Sequence, residues 1–263
     1  MKFKKKIKNF LNKIKKITLY FKCLFEKNFF FGLLKSQSDG EESKFLLDVS
    51  DLISDESFLE IGYGYYEFNC TELLKKNFKG TLVDGSTNSL NMNLLLKKHK
   101  LNSKAYKTYL NLDNLKKINF IERKYGFLSL DIDGVDYWIL KEMLKFIEFE
   151  AIMIEYNASL LHKKISVVYK KNFDRHEEHK SGLYHGASLA AFNDLLNNHD
   201  FSLVKIIGGL NAVFLKNNII KQNNLTILDP LKDFQEHEWR NKFHNSSAKQ
   251  QFSLIKHLNF IEV

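Results

Sequence analysis

An α/β fold built on a doubly wound, mostly parallel sheet is predicted by three observations on the sequence. From Lys44 to Lys216, short apolar runs alternate with amphipathic stretches at the spacing of strand–helix units. Four of the candidate strands carry an acid at or next to their last residue, at Glu60, Asp84, Asp131 and Glu155. The 263 residues are 44% hydrophobic, with 12 Gly and one Pro. That is enough apolar content for one packed domain and too few turn residues for a β-sandwich.

The runs Ser57–Ile61, Gly80–Asp84, Lys104–Tyr109, Phe127–Asp131 and Ala151–Glu155 read as strands. Between them Tyr66–Asn77, Ser89–Lys100, Asp113–Arg123 and Tyr137–Phe146 read as helices. A long polar loop over 158–184 is a candidate substrate lid and precedes a helix over Ala187–Asn198. Phe201–Ile207 and Asn211–Lys216 form a closing strand pair joined through Gly208 and Gly209. The chain thus divides into an N-terminal helical arm over 1–36, the α/β domain over 37–217 and a C-terminal helical extension over 218–263 packed on that domain.

Formal charge is +9, a value that first points to nucleic acid or membrane. Residues 1–36, however, hold eleven lysines against the single acid Glu26, so the body is close to neutral. In the arm Phe3, Ile7, Phe10, Ile14, Ile17, Phe21 and Leu24 recur at steps of four and three, a helical apolar seam among lysines. Such a helix can pack on its own domain, on a second copy of the chain, or on an anionic membrane surface. Nucleic acid is not expected, because the arm has no arginine and only Gly32 as glycine. The polar stretch 36–43 reads as its boundary. Cys23 and Cys70 lack metal-ligand spacing, and no run of 18 apolar residues or secretory pattern occurs. The expected location is the cytoplasm, with the inner face of the membrane as the arm's alternative.

Three constellations carry chemistry. In the first, Glu60, Gly62, Tyr63, Gly64 and Tyr66 form an acid–glycine loop where backbone can approach a ligand. Glu67 stands where a nicotinamide fingerprint needs glycine, and no phosphate-cradling GxxxxGK[ST] loop is present. In the second, Asp84, Gly85 and Ser86 close the next strand with a carboxylate suited to a ribose diol. The third runs Leu130–Trp138 (LDIDGVDYW), then IEYN at 154–157, HGAS at 185–188 and GLNA at 209–212.

Together the first two resemble the cofactor loop and ribose acid of class I S-adenosylmethionine-dependent methyltransferases. The third resembles FkbM-like enzymes, bacterial sugar and surface-polysaccharide methyltransferases, over roughly 58–215. Tyr66 departs from the glycine of a full acid-x-Gly-x-Gly-x-Gly loop. The resemblance implies S-adenosylmethionine held by Glu60, Gly62, Tyr63, Gly64, Asp84, Gly85, Ser86, Asp113 and Asp131. It also implies O-methylation of a sugar hydroxyl, nucleotide-activated or part of a glycan precursor.

Residues two apart on an extended strand end point the same way, so Asp131 and Asp133 share a direction, as do Glu155 and Asn157. Three carboxylates and an amide can thereby converge, hard ligands that suit Mg²⁺ or Mn²⁺. Asp131, Glu155 and Asn157 are the expected ligands; a plain hydrogen-bond network is the alternative. His185 is the candidate general base, with Asp133 and Asp131 as further catalytic acids. Asp133, Tyr137, Tyr156, His185 and Asn211 are the candidate acceptor contacts. The pair His176 and His179 reads as part of a solvated loop. Two rival functions remain at this stage: methylation of an amine or a small phosphorylated metabolite, and a non-catalytic Rossmann-like domain that tethers a partner or membrane.

Overall fold

Strands buried on both faces of a parallel sheet are apolar without interruption, and the central strands here follow that rule. The computed structural model describes residues 18–34, 41–64, 68–85 and 88–263. Its strands are β1 (Ser57–Ile61), β2 (Lys79–Asp84), β3 (Ser103–Lys107), β4 (Lys124–Leu130), β5 (Glu148–Glu155), β6 (Ile165–Val167), β7 (Phe201–Ile207), β8 (Asn211–Lys216) and β9 (Phe260–Glu262). Seven of them form one sheet in the order β3-β2-β1-β4-β5-β8-β7. The neighbours from β3 to β5 are all parallel, whereas β8 runs antiparallel to both β5 and β7. Strand order reverses between β1 and β4, which opens a crevice at their carboxyl ends.

The helices are α1 (Lys27–Leu33), α2 (Glu41–Leu52), α3 (Thr71–Lys75), α4 (Asn88–Lys98), α5 (Asp136–Met143), α6 (Arg175–Glu178), α7 (Leu189–Asn197), α8 (Asn217–Gln222), α9 (Glu238–His244) and α10 (Ala248–Ile255). Side chains alternate between two cores, as strand geometry requires. Leu59, Leu128, Ile152 and Ile154 pack with α5 and α7 on one face, and Phe58, Phe127, Ala151 and Met153 with α1 to α4 on the other. Side-chain hydrogen bonds shape the turn into α5 and cap α7. The Asp136 carboxylate accepts from the Ile132 and Gly134 amides (2.8 and 2.9 Å) at α5, and Ser188 Oγ accepts from Ala191 N at α7.

The doubly wound fold is therefore present, with local differences. Over Asp113–Arg123 the expected helix shrinks to one 3₁₀ turn, Leu115–Lys117. Asn111 Oδ1 accepts from the Asp113 and Asn114 amides and so offers that backbone a turn instead of a helix. The helix expected from Tyr66 is the shorter α3; Tyr66 itself lies outside the described residues. The polar segment 158–184 is not a bare loop, since it carries β6 and α6. β6 pairs antiparallel with β9, which ties the end of the chain to this segment.

Residues 1–17 of the arm, and with them Phe3, Ile7, Phe10, Ile14 and Ile17, lie outside the described residues, as do 35–40 of the boundary. The rest of the arm joins the body. Cys23, Phe30 and Leu34 are buried in the core that contains Leu46 and Val49. His99 Nε2 donates to the Cys23 carbonyl at 2.6 Å, and the His99 ring stacks on Phe30. Phe21, expected in the apolar seam, is instead 54% exposed. Residues 18–25 are also helical, and Glu26 separates them from α1 with extended backbone (φ −117°, ψ 100°). The C-terminal extension also packs closely: Tyr156 Oη donates to Gln235 O, and Ser159 Oγ to Gln251 Oε1, at 2.6 and 2.7 Å. Helix α8 straddles the expected boundary at 217. Among the described residues no helix is long and apolar enough to cross a membrane.

Candidate active site

A cavity of about 590 Å³ opens at the carboxyl ends of β1, β2 and β4, in the crevice the strand order creates. Its size suits a small-molecule ligand. Gly62, Tyr63, Gly64, Asp84, Gly85 and Asp131 line it together, although the sequence spreads them over seventy residues. Gly62 has φ +84°, a conformation in which a side chain is strained. Tyr109 forms a further wall, with its ring packed against Gly85. Ser86 lies outside the described residues.

Two of the expected cofactor residues sit elsewhere. Glu60 is buried beneath the loop and does not line the cavity. Its two carboxylate oxygens accept from the Asn69 and Cys70 amides, at 2.7 and 3.1 Å, and so pin the far end of the loop that follows β1. Burial pushes its carboxyl up to about 7, against the pull of those amides. Asp113 is exposed and paired with Lys171 at 2.7 Å. Lys171 reaches the cavity and Asp113 does not.

A second cavity, about 1170 Å³, lies against the first. Its walls include Glu155, Arg175, His237, Trp239, Arg240 and Phe243, and Asp133 belongs to both cavities. Asp133 has φ +54°, which turns it out of the line of β4. Deep among protein atoms, it still keeps 48% of its side-chain surface open, and Arg175 Nη1 donates to it. Burial and the Glu155 charge push its carboxyl up to about 6, against the opposing pull of Arg175 and Arg240. Asp131 is pushed well above the usual carboxylate range by burial, then by Glu155 and Asp133.

His185 lies just behind these acids, 2% exposed, with Nε2 unpartnered among the described residues. Burial, and then the Arg240 and Arg175 charges, hold its pKa well below that of free imidazole, so the ring is neutral. Asp133, Glu155 and His185 converge: one ligand-type atom from each lies within 4.8 Å of the others.

The ligand set expected from sequence does not form around Asn157. That amide is spent inside the protein, with Nδ2 donating to Leu183 O and His185 O and Oδ1 accepting from Ser159 N and Arg240 Nη1. Glu155 accepts from Arg240 Nη2 at 2.9 Å. Tyr137, Tyr156 and Asn211 line neither cavity. Tyr137 packs against Phe192 and Trp138, the Tyr156 hydroxyl holds Gln235, and Asn211 stands opposite Glu155 across β5 and β8.

Sequence reasoning missed Arg175, His237, Trp239, Arg240 and Phe243. One signal was available: the chain has only three arginines, at 123, 175 and 240, among 40 basic residues, and two of them meet these acids.

No family model matches the chain, and no curated protein matches it. Solved structures do. An O-methyltransferase from Bacillus cereus in complex with SAH is 16% identical over 68% of this chain and 82% of its own, with a TM-score of 0.46. A candidate O-methyltransferase from Klebsiella pneumoniae is 13% identical over 75% and 89%, with a TM-score of 0.48. An O-methyltransferase family protein from Burkholderia thailandensis is 10% identical over 66% of this chain, which spans only 55% of it, at 0.41.

Proposed function

We propose that the chain is an S-adenosylmethionine-dependent O-methyltransferase acting on a sugar hydroxyl. The observation that carries the reading is the position of Asp133, which alone among the described residues lines both the cavity at the strand tips and the larger cavity beside it. Two substrates seated in the two cavities would meet there.

The first cavity fits the cofactor by its chemistry. Gly62 brings bare backbone to the ligand, and Asp84, on the wall of the same cavity, would take the ribose hydroxyls. The ligand has no phosphate and bears a cation, which suits a wall of acids. S-adenosylmethionine would supply a methyl group on a sulfonium, a carbon ready for in-line attack by an acceptor oxygen. The chain's own part is to hold both partners in line, exclude water and take one proton. Asp133 is placed to accept that proton from the acceptor hydroxyl at its carboxylate. A carboxyl raised to about 6 is a stronger base than an ordinary one and is still mostly ionised near neutral pH. His185 stands behind it as the neutral neighbour.

A sugar acceptor is supported by the outer wall of the second cavity. Trp239 and Phe243 stack on each other (5.1 Å, 14°) and are 65% and 69% exposed, leaving flat apolar rings open to the C–H face of a pyranose. The donor set sought for Mg²⁺ or Mn²⁺ does not fit an ion as it is paired here, because Arg240 and Ser159 hold Asn157 and Arg240 holds Glu155. No step is assigned to a metal.

For the arm, we propose contact with an anionic membrane surface, supported by its lysines and by the exposed Phe21 and Phe25. Flotation with anionic vesicles tests it; a full chain that stays at the bottom of the gradient at low salt refutes it. The central reading is tested by titration calorimetry with S-adenosylhomocysteine, followed by labelled methyl transfer to a panel of nucleotide sugars. Absence of cofactor binding would end the methyltransferase reading.

A further inference from the structure

Acids gathered at the end of a sheet invite a cation, and in this chain the cation is already built in. Glu155, at the end of β5, and Arg240, on α9, are 6% and 7% exposed. The guanidinium reaches two partners at once, Nη2 to Glu155 Oε1 at 2.9 Å and Nη1 to Asn157 Oδ1 at 3.2 Å. Arg175 meets the other acid of the cluster, Nη1 donating to Asp133 Oδ1. The buried Nε2 of His185 has no partner among the described residues, and a ring nitrogen of the same residue shares the 4.8 Å cluster with Asp133 and Glu155. Two carboxylates and a neutral imidazole are a competent donor set for a divalent ion. A guanidinium held on Glu155 opposes an ion on the same carboxylate, since both are positive and arginine does not lose its proton.

The choice of residue points the same way. The chain meets nearly all its needs for positive charge with lysine, and two of its three arginines are at this cluster. Only a planar fork can bridge a carboxylate and an amide two residues apart in one rigid geometry.

We propose that Arg240 is the resident cation of this cluster, occupying the place a divalent ion would take and fixing Glu155 and Asn157 so that the site works without a metal. Arg240 is a positioning residue: it acts through Glu155. Metal-independent transfer rests on the methyltransferase reading; the occupancy of the cluster does not.

The test is Mn²⁺ binding to the full chain, read by the loss of the free-ion signal in electron paramagnetic resonance. The wild type should leave the ion free, whereas Arg240→Ala should take up about one Mn²⁺ per chain, at least about tenfold more tightly. Adding Glu155→Gln to that variant should abolish the new site. If Arg240→Ala does not fold, Arg240→Gln replaces it. Tight Mn²⁺ binding by the wild type that Glu155→Gln removes would overturn the proposal, and so would a folded Arg240 variant that binds no Mn²⁺. Calorimetry with S-adenosylhomocysteine on the same samples keeps the two ideas apart. A chain that ignores that ligand yet gains Mn²⁺ on losing Arg240 sinks the methyltransferase reading and leaves this proposal standing.

Discussion

Gly62 and Asp131 approach so closely that a Cβ on Gly62 would sit 1.5 Å from the Asp131 carbonyl oxygen. The two residues follow β1 and β4, the strands between which the order reverses, and both line the cavity at the strand tips. Gly62→Ala must push these strand ends apart as well as bear the positive φ, whose strain alone costs roughly 1–3 kcal/mol. The expected outcome is a lower melting temperature together with loss of S-adenosylhomocysteine binding. A variant that binds with wild-type affinity would show that Gly62 is not in contact with the ligand.

Asp84 ends β2 on the wall of the same cavity. If it takes the ribose hydroxyls, Asp84→Ala should weaken S-adenosylhomocysteine by roughly 1–3 kcal/mol, about 5- to 150-fold in Kd. Folding should change little, because the residue is only half-buried. Calorimetry on both proteins decides it, and an unchanged Kd would remove Asp84 from the binding site.

How much of this could be read from the sequence depended on whether a feature was local. The strand runs showed themselves by apolar content, and the acids at their ends by position, because a parallel strand has one fixed end at which ligands gather. That Gly62, Asp84 and Asp131 meet around one cavity was legible for that reason. Glu60 was misplaced because an acid in such a motif looks the same whether it turns to a ligand or, as here, to the Asn69 and Cys70 amides. Asn157 failed in the same way: alternation gave its direction, and four hydrogen-bond partners from distant segments decided its use. Arg240 and Trp239 come from a helix more than eighty residues past β5, and no periodicity ties that helix to the sheet.

Trp239 and Phe243 give the sugar assignment its own test. Replacing both by alanine removes the flat wall and nothing near Asp84 or Gly62. KM for a sugar acceptor should rise by about tenfold, the size of one aromatic contact, while kcat and the Kd for S-adenosylhomocysteine stay close to wild type. An unchanged KM would place the acceptor elsewhere in the cavity.

If Asp133 is the base, it sets an acid limb on the rate. Its carboxyl is raised to about 6 and must be ionised to accept the acceptor's proton. Rate should therefore hold near neutral pH and fall as pH drops through about 6, by up to about tenfold per unit. Asp133→Asn should lose most of the activity at every pH while keeping cofactor affinity. A wild-type rate unchanged down to about pH 5 would exclude Asp133 as the base.

His185 makes a separate prediction about stability. Its pKa in the folded chain lies well below 6.5, so between those two values the unfolded chain binds a proton that the folded chain refuses. Stability is thus lost as pH falls below about 6.5, with a slope of up to about 1.4 kcal/mol per pH unit from this one ring. His237, held near 4 by burial and by Arg240, acts in the same direction. Glu60, Asp133 and Asp136 act in the other, because their raised pKa values let the folded chain bind protons that the unfolded chain has released. The net curve mixes these terms, but the difference between wild type and His185→Gln isolates one. Urea unfolding at about pH 5, 6 and 7 should show the variant gaining on the wild type as pH falls. Parallel curves would mean that His185 takes up its proton in the folded protein and is not held neutral behind Asp133 and Glu155.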